Sequence, residues 1–245
     1  EALRRRTHEI TPNAAGGREY APGDPWHRIH WKSTARRERL MVKEFELDPL
    51  SEVWIFVDAR RDAQATLSQS LSEADADVLW QPLEETGLLP STEEYAVTIA
   101  ASLGRYFLRR KRAVGLVSQG RSLNVLPPDK GDRQLEKMLE ALALLNAEGS
   151  LSIAALSTIQ ARRVPRGSTV ILITPSVRRE VAFAVDVLLQ GGLQVVVVLL
   201  DAASFGGPPG TAEVAQALDA LGVLTYQVEN GADLTTTLSR GVVAL

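Results

Sequence analysis

After residue 50 the chain alternates short apolar runs with segments of helical periodicity. The run Val53–Val57 is continuous and ends at Asp58, which is typical of a strand buried on both faces of a sheet. Residues 113–118 and 122–126 flank a glycine-containing turn and predict a hairpin that the two prolines at 127–128 end. The other predicted strands are 169–174, 193–200 and 223–228, and the predicted helices are 91–112, 132–146, 151–162, 177–190, 212–221 and 233–240.

Strands that alternate with helices predict a mainly parallel sheet with helices on both faces. We therefore expect a three-layer α/β fold with six strands, of Rossmann-like type, in which Val53–Val57 is central and 122–126 lies at one edge. The order of strand, helix, hairpin, two helices and three helix-linked strands resembles the von Willebrand factor A fold.

The N-terminal region has a different pattern. Residues 1–25 contain several turn signals and are expected to be irregular, a short helix is expected near 33–39, and 40–47 alternates like an edge strand with a bulge. We divide the chain into an N-terminal arm, 1–50, and a domain, 51–245. Within that domain, 63–92 has few strand signals and is predicted to be an acidic insertion.

Composition and charge narrow the function classes. The 245 residues include no cysteine, which excludes disulfides, thiolate metal sites and a cysteine nucleophile. The net charge of −3 gives no general attraction to nucleic acid, although basic segments at 28–43 and 105–112 leave such binding as an alternative. The longest apolar stretch, 193–200, is too short to cross a bilayer.

The loop that follows the first central strand is the candidate site. Ligands of open α/β sheets bind beyond the carboxyl ends of the strands. A metal-binding von Willebrand factor A domain has Asp-x-Ser-x-Ser here, since oxygen ligands suit a hard cation. In this chain Asp58 occupies the aspartate position, but Arg60 and Asp62 occupy the two serine positions, and Arg60 places a positive charge where the cation would bind.

The other two ligand positions of such a domain also differ. Pro175 lies where the strand 169–174 would be followed by an aspartate, and the loop 127–132, where we expect the remaining ligand, contains no threonine. The site is therefore predicted to bind no metal. Asp58 is expected to cap its own loop or to pair with an arginine.

The most specific segment of the chain lies in the arm. It reads Arg-Glu-Tyr-Ala-Pro-Gly-Asp-Pro-Trp-His-Arg-Ile-His-Trp-Lys-Ser-Thr-Ala-Arg over residues 18–36, and Leu-Met-Val-Lys-Glu-Phe follows at 40–45. This pattern resembles the signature of the domain-of-unknown-function family fifty-eight. The signature positions that we take as candidate binding residues are Tyr20, Gly23, Asp24, Arg28, Trp31, Lys32 and Arg36.

The resemblance implies a membrane-anchored protein with N-terminal transmembrane helices and an A-type domain on the cytoplasmic face. It also implies a partnership with a MoxR-type AAA+ ATPase. We accordingly expect that a segment absent from this sequence supplies the anchor, that the partner is a protein and not nucleic acid, and that no cofactor is needed.

Two interpretations of the arm remain open. It is either a clasp, in which Arg28 pairs with Asp24 or Asp58 while Trp26 and Trp31 pack on the sheet, or an exposed basic and aromatic surface for a partner.

Three functions follow from the whole sequence. The first is a non-catalytic interaction or scaffold module. The alternatives are a metal-dependent hydrolase that uses Asp58 and Asp62, and nucleic-acid binding through the basic segments.

Overall fold

The computed structural model describes residues 17–20, 29, 31–43, 51–67 and 88–242. It separates into two compact units, one formed by Glu1–Leu47 with Gly241–Leu245 and the other by Asp48–Arg240. Most of the predicted acidic insertion, at 68–87, and the arm residues Gly23, Asp24, Trp26 and Arg28 lie outside the described residues.

The larger unit is built on a six-stranded sheet. Its strands are β3 Val53–Val57, β4 Val114–Gln119, β5 Leu123–Asp129, β6 Thr169–Thr174, β7 Gln194–Leu200 and β8 Leu224–Val228. Their spatial order is β5-β4-β3-β6-β7-β8; within this sheet only β5 is antiparallel, and it forms the predicted hairpin with β4. The expected fold class, the central position of Val53–Val57 and the edge position of the hairpin strand are confirmed.

Helices cover both faces of this sheet. They are α2 Thr92–Arg109, α3 Asp132–Ala143, α4 Ile153–Ala161, α5 Glu180–Gln190 and α6 Thr211–Ala220. A further helix, α7 Leu234–Val242, follows β8 in the chain. On one face α4, α5 and α6 pack on alternate strand residues such as Phe56 and Leu172. On the other face lies α2, where the ring of Tyr95 meets Phe205 edge-on at 4.8 Å between centroids.

Burial on both faces explains the continuous apolar run in β3. All five residues of Val53–Val57 are buried, and the strand pairs in parallel with β4 on one side and β6 on the other. A strand in this position has no solvent-facing side, so period-two alternation is absent from its sequence. The residue that follows, Asp58, therefore emerges at the centre of the carboxyl edge.

One prediction about the hairpin was wrong. The two prolines do not end the second strand, because β5 continues through Pro127 and Pro128 to Asp129. Proline lacks the N–H that a central strand needs, but it is compatible with an edge strand that has a neighbour on one side only. The edge position of β5 thus accommodates both residues.

The smaller unit contains β1 Gly17–Glu19, α1 Trp31–Arg37 and β2 Met41–Lys43. All three residues of β1 pair antiparallel with β2. Residues 17–19 are therefore a strand, whereas the sequence predicted an irregular segment there. The strand expected in 40–47 is present at Met41–Lys43, but it belongs to this two-stranded sheet and not to an edge of the large one. Arg39 forms a 2.6 Å ion pair with Glu19 across the same unit.

Within the described ranges, no helix has both the length and the apolar character required to cross a membrane.

Candidate functional site

Asp58 lies at the carboxyl end of β3 and is almost fully buried, with 3% of its surface exposed. Its backbone N–H donates to the carbonyl of Ile173, which places it beside the end of β6. One carboxylate oxygen, Oδ2, accepts a 2.6 Å hydrogen bond from the Thr174 hydroxyl, and Oδ1 accepts a 3.1 Å bond from the backbone N–H of Arg60. Asp58 therefore caps its own loop, which is one of the two roles predicted for it.

Burial dominates the acidity of this carboxyl group. Removal from water disfavours the charged form and raises the pKa of Asp58 from 3.8 to about 6. The Thr174 hydroxyl and the Arg60 N–H lower the pKa but do not offset the burial, and the nearby negative charge of Glu180 raises it further. Asp58 thus caps its loop and has a pKa close to neutral pH.

Arg60 has its guanidinium group between two carboxylates. Nε lies 2.5 Å from Asp62 Oδ1, Nη2 donates to Asp62 Oδ2 at 2.8 Å, and Nη1 donates to Glu180 Oε1 at 3.0 Å. The side chain is 19% exposed. This planar, two-sided arrangement matches the fork geometry in which arginine binds carboxylates most strongly.

The rim of the site is more open to solvent. Arg178 donates from Nη2 to Asp62 Oδ2 at 2.9 Å, and the two side chains are 56% and 50% exposed. The backbone reaches this point through a short turn, in which the Ser176 N–H donates to the Thr174 hydroxyl at 3.0 Å. The same threonine thereby links the buried Asp58 to the loop that presents Arg178.

The second loop at the site is 144–152, between α3 and α4, and not 127–132 as expected. Gly149 donates to the Ala59 carbonyl at 2.8 Å, and its own carbonyl accepts from the Arg61 N–H at 3.0 Å. Asp129, by contrast, is paired with Val114 at the start of β4, so the loop after β5 lies at the opposite edge of the sheet. The antiparallel direction of β5 is the reason.

The residues do not fit a divalent cation. The guanidinium of Arg60 is placed among the carboxylates of Asp62 and Glu180, and it already provides the positive charge that they need. Asp58 directs both oxygens to protein donors. No cluster of His, Asp or Glu side chains suited to a metal ion occurs in the part of the chain that the structure describes.

The structure brings Asp58, Arg60 and Asp62, the three site residues predicted from the sequence, to one edge of the sheet. Of the predicted arm residues, Tyr20, Trp31, Lys32 and Arg36 belong to the smaller unit, where Trp31 is 66% exposed. The binding role predicted for these residues stays a prediction. Four further polar residues of the site were not predicted from the sequence, namely Gln64, Thr174, Arg178 and Glu180.

A signal for Thr174 was available in the sequence. Polar residues that directly follow a buried strand lie at the carboxyl edge, and Thr174 ends the apolar run of β6. Gln64 had no such signal, because its side chain reaches back to donate to the Asp58 carbonyl at 2.8 Å from a one-turn 3₁₀ helix.

The sheet order and the loop site at its carboxyl edge together define a von Willebrand factor A-like α/β module. Residues 16–76 match the model of the family described as "Protein of unknown function DUF58". The resemblance that the arm motif indicated is therefore confirmed.

One relative of known sequence is similar to a large part of the chain. It is the uncharacterized protein YeaD of Bacillus subtilis (strain 168), which is 28% identical over 137 residues. The alignment covers 56% of this chain but only 27% of YeaD, so the matched part of the chain spans about a quarter of that protein's length.

Two solved structures share the fold. The conserved hypothetical protein BatB from Bacteroides thetaiotaomicron superposes with a TM-score of 0.50 and 14% identity over 79% of this chain and 97% of that one. An aerotolerance-related membrane protein from Bacteroides fragilis NCTC 9343 superposes with a TM-score of 0.50 and 16% identity over 79% of this chain and 96% of that one. The descriptions of YeaD and of these two proteins name no reaction.

Proposed function

We propose that this chain is a non-catalytic protein-interaction module that binds a partner at the carboxyl edge of its sheet. The observation that supports this most directly is the guanidinium of Arg60, held between Asp62 and Glu180 in the loop where relatives of this fold type would hold a cation. The edge carries a charged surface, and its exposed rim includes the ion pair between Arg178 and Asp62. Such a rim provides orientation and partner selection.

The hydrolase alternative needs Asp58 and Asp62 to act together on one cation or water. In the structure the two carboxylates have separate partners: Asp58 accepts from Thr174 and a backbone N–H, whereas Asp62 is bound by Arg60 and Arg178. The geometry therefore favours binding over hydrolysis.

The basic segment at 105–112 gives little support to nucleic-acid binding. Arg112 is buried and donates to the carbonyl of Ser51 at 2.8 Å, and the guanidinium of Arg110 stacks on the Tyr106 ring at 4.1 Å. Arg112 therefore adds no charge to the surface, and the net charge of −3 gives the chain no general attraction to a polyanion.

The partner class and location come from the family resemblance. We propose a MoxR-type AAA+ ATPase as the partner, and a full-length protein that is anchored so that this module lies on the cytoplasmic face of the membrane. The Bacteroides fragilis protein of similar fold is described as a membrane protein, which supports the membrane association in this proposal.

The test is a binding titration by biolayer interferometry between the full chain and the purified MoxR-type ATPase of the same organism. Arg178→Glu places a carboxylate beside Asp62 and should weaken binding by about tenfold or more, which corresponds to roughly 1.4 kcal/mol. The matched control is Arg133→Glu, an exposed arginine on α3, which should bind like the wild type. Equal binding by both variants, or none by the wild type, would contradict the proposal.

A further inference from the structure

A groove with a volume of about 750 Å³ runs between α5 and α6 on one side of the sheet. Its walls come from the turn before α5, from α5 itself and from α6. The lining residues are Val177, Arg179, Ala182, Gly210, Glu213, Val214, Gln216, Ala217 and Ala220. The turn at Val177 is continuous in the chain with Arg178, so the groove begins beside the rim of the carboxyl-edge site.

The floor of the groove is apolar because the facing residues of both helices are small. Ala182 on α5 faces the groove together with Val214, Ala217 and Ala220 on α6. Small side chains on both helices leave room that a larger residue would fill. At one end Gly210 has φ 137°, and a Cβ there would come to 3.0 Å from the Cβ of Val177, so the absence of a side chain keeps this end open.

The polar groups of the groove lie at its margins. Arg179 and Glu213 are exposed, and neither side chain forms an ion pair with any residue that the structure describes. Next to Arg179, Arg178 contacts Asp62 through Nη2, and no further partner of its guanidinium is seen among the described residues. Of these two arginines only Arg179 lines the groove, and its N–H donors at the groove margin are complementary to a carboxylate.

We infer that this groove binds a segment of a partner protein that carries apolar side chains and a carboxylate next to Arg179. The inference rests on the proposed interaction function and specifies the chemistry of the partner. An enclosed small-molecule site buries most of its ligand. Here Glu213, Gln216 and Ala220 are exposed along one wall, so the groove is open and suits a peptide chain that passes through it.

The first experiment identifies peptides that bind the groove without assuming their sequence. Random peptides displayed on phage are panned on the full chain and, in parallel, on Ala220→Trp, in which the exposed last residue of α6 fills the groove. Peptides enriched on the wild type only, with apolar residues and an Asp or Glu, are the expected result. Basic peptides, peptides enriched equally on both proteins, or no enrichment would overturn the inference.

The second experiment measures one enriched peptide by fluorescence polarisation. Ala220→Trp and Arg179→Glu should each raise its Kd by about tenfold or more. Ala143→Trp is the matched control, because Ala143 is likewise the exposed last residue of its helix, α3, and it should leave the Kd unchanged. Replacing the peptide carboxylate by an amide should weaken binding to the wild type but not to Arg179→Ala.

The experiments distinguish failure of the groove inference from failure of the proposed interaction function. A peptide whose binding survives Ala220→Trp but is lost in Arg178→Glu binds at the rim, which overturns the groove and leaves the proposed function intact. Loss of ATPase binding in Arg178→Glu together with no peptide enrichment has the same meaning. A Kd that changes as much in Ala143→Trp as in Ala220→Trp would also overturn the groove, since the effect would then be general.

Discussion

Two aspartates of one short loop, Asp58 and Asp62, have opposite environments. Asp58 is buried, bonds to a hydroxyl and a backbone N–H, and has its pKa raised to about 6. Asp62 is half exposed and lies between two guanidinium groups, those of Arg60 and Arg178. The difference shows that the site has two layers, an inner layer that fixes the loop and an outer layer that faces solvent.

The two layers should respond differently to mutation. Polar groups in the inner layer have no access to water, so the loss of a partner leaves a desolvated atom unsatisfied. In the outer layer, water replaces a lost partner and salt screens the charges. We therefore expect the inner layer to govern stability and the outer layer to govern binding.

The largest expected effect concerns the pH dependence of stability through Asp58. Its pKa is raised from 3.8 to about 6 in the folded protein, so the native state holds this proton more tightly than the unfolded chain does. Stability from this group is fully present below pH 3.8 and is lost as the pH rises through about 6. The loss is on the order of 2–3 kcal/mol.

Urea unfolding of the wild type and of Asp58→Asn at a series of pH values measures this effect. The free energy of unfolding of the wild type, relative to the variant, should fall across that window. A relative rise instead would mean that Thr174 and the Arg60 N–H stabilise the ionised form more than burial destabilises it, and the inner layer would then resemble the outer one.

A smaller effect is expected from Thr174→Val, which keeps the shape of the side chain and removes its hydroxyl. The change leaves Asp58 Oδ2 and the Ser176 N–H without their partner and should lower the free energy of unfolding by about 2 kcal/mol at neutral pH. Thr158→Val on α4 is the control, because its hydroxyl lies on an exposed residue, and it should change stability by less than about 0.5 kcal/mol. Equal losses in both would argue against a special role of Thr174.

The smallest effect on stability is expected from Asp62→Asn. Its carboxylate is half exposed, so the loss of its ion pairs with Arg60 and Arg178 should cost at most about 1 kcal/mol. The same variant should reduce ATPase binding, since it removes the charge that orients Arg178. Thermal unfolding together with the interferometry titration checks both parts, and a large loss of stability would place Asp62 in the inner layer.

Much of the fold was predictable because its signals are local. The apolar runs of β3, β6 and β7, the helical periodicity of α2 and the glycine turn of the hairpin all depend on neighbours close in sequence. The continuation of β5 through Pro127 and Pro128 was not predictable in this way. Proline is compatible with a strand that has a neighbour on one side only, but not with one that is paired on both sides. The local sequence does not show how many neighbours a strand has.

The candidate site was predictable only in part. Asp58, Arg60 and Asp62 belong to one loop, and the strand-end rule places them correctly. Glu180 is far away in sequence and approaches Arg60 only because β3 and β6 are neighbours. The second loop of the site was assigned to the wrong end of the sheet, because its position depends on the direction of β5.

The sequence by itself determined the α/β class, the central strand, the family motif of the arm and the arginine in place of a cation ligand. These features depend on hydrophobic periodicity and on residue types within single segments. The tertiary structure decided which carboxylate meets which arginine, which loop approaches Ala59, and where a groove opens between α5 and α6. Those contacts join residues that are distant in sequence. Such residues come close in space only because of the order and the directions of the strands in the sheet.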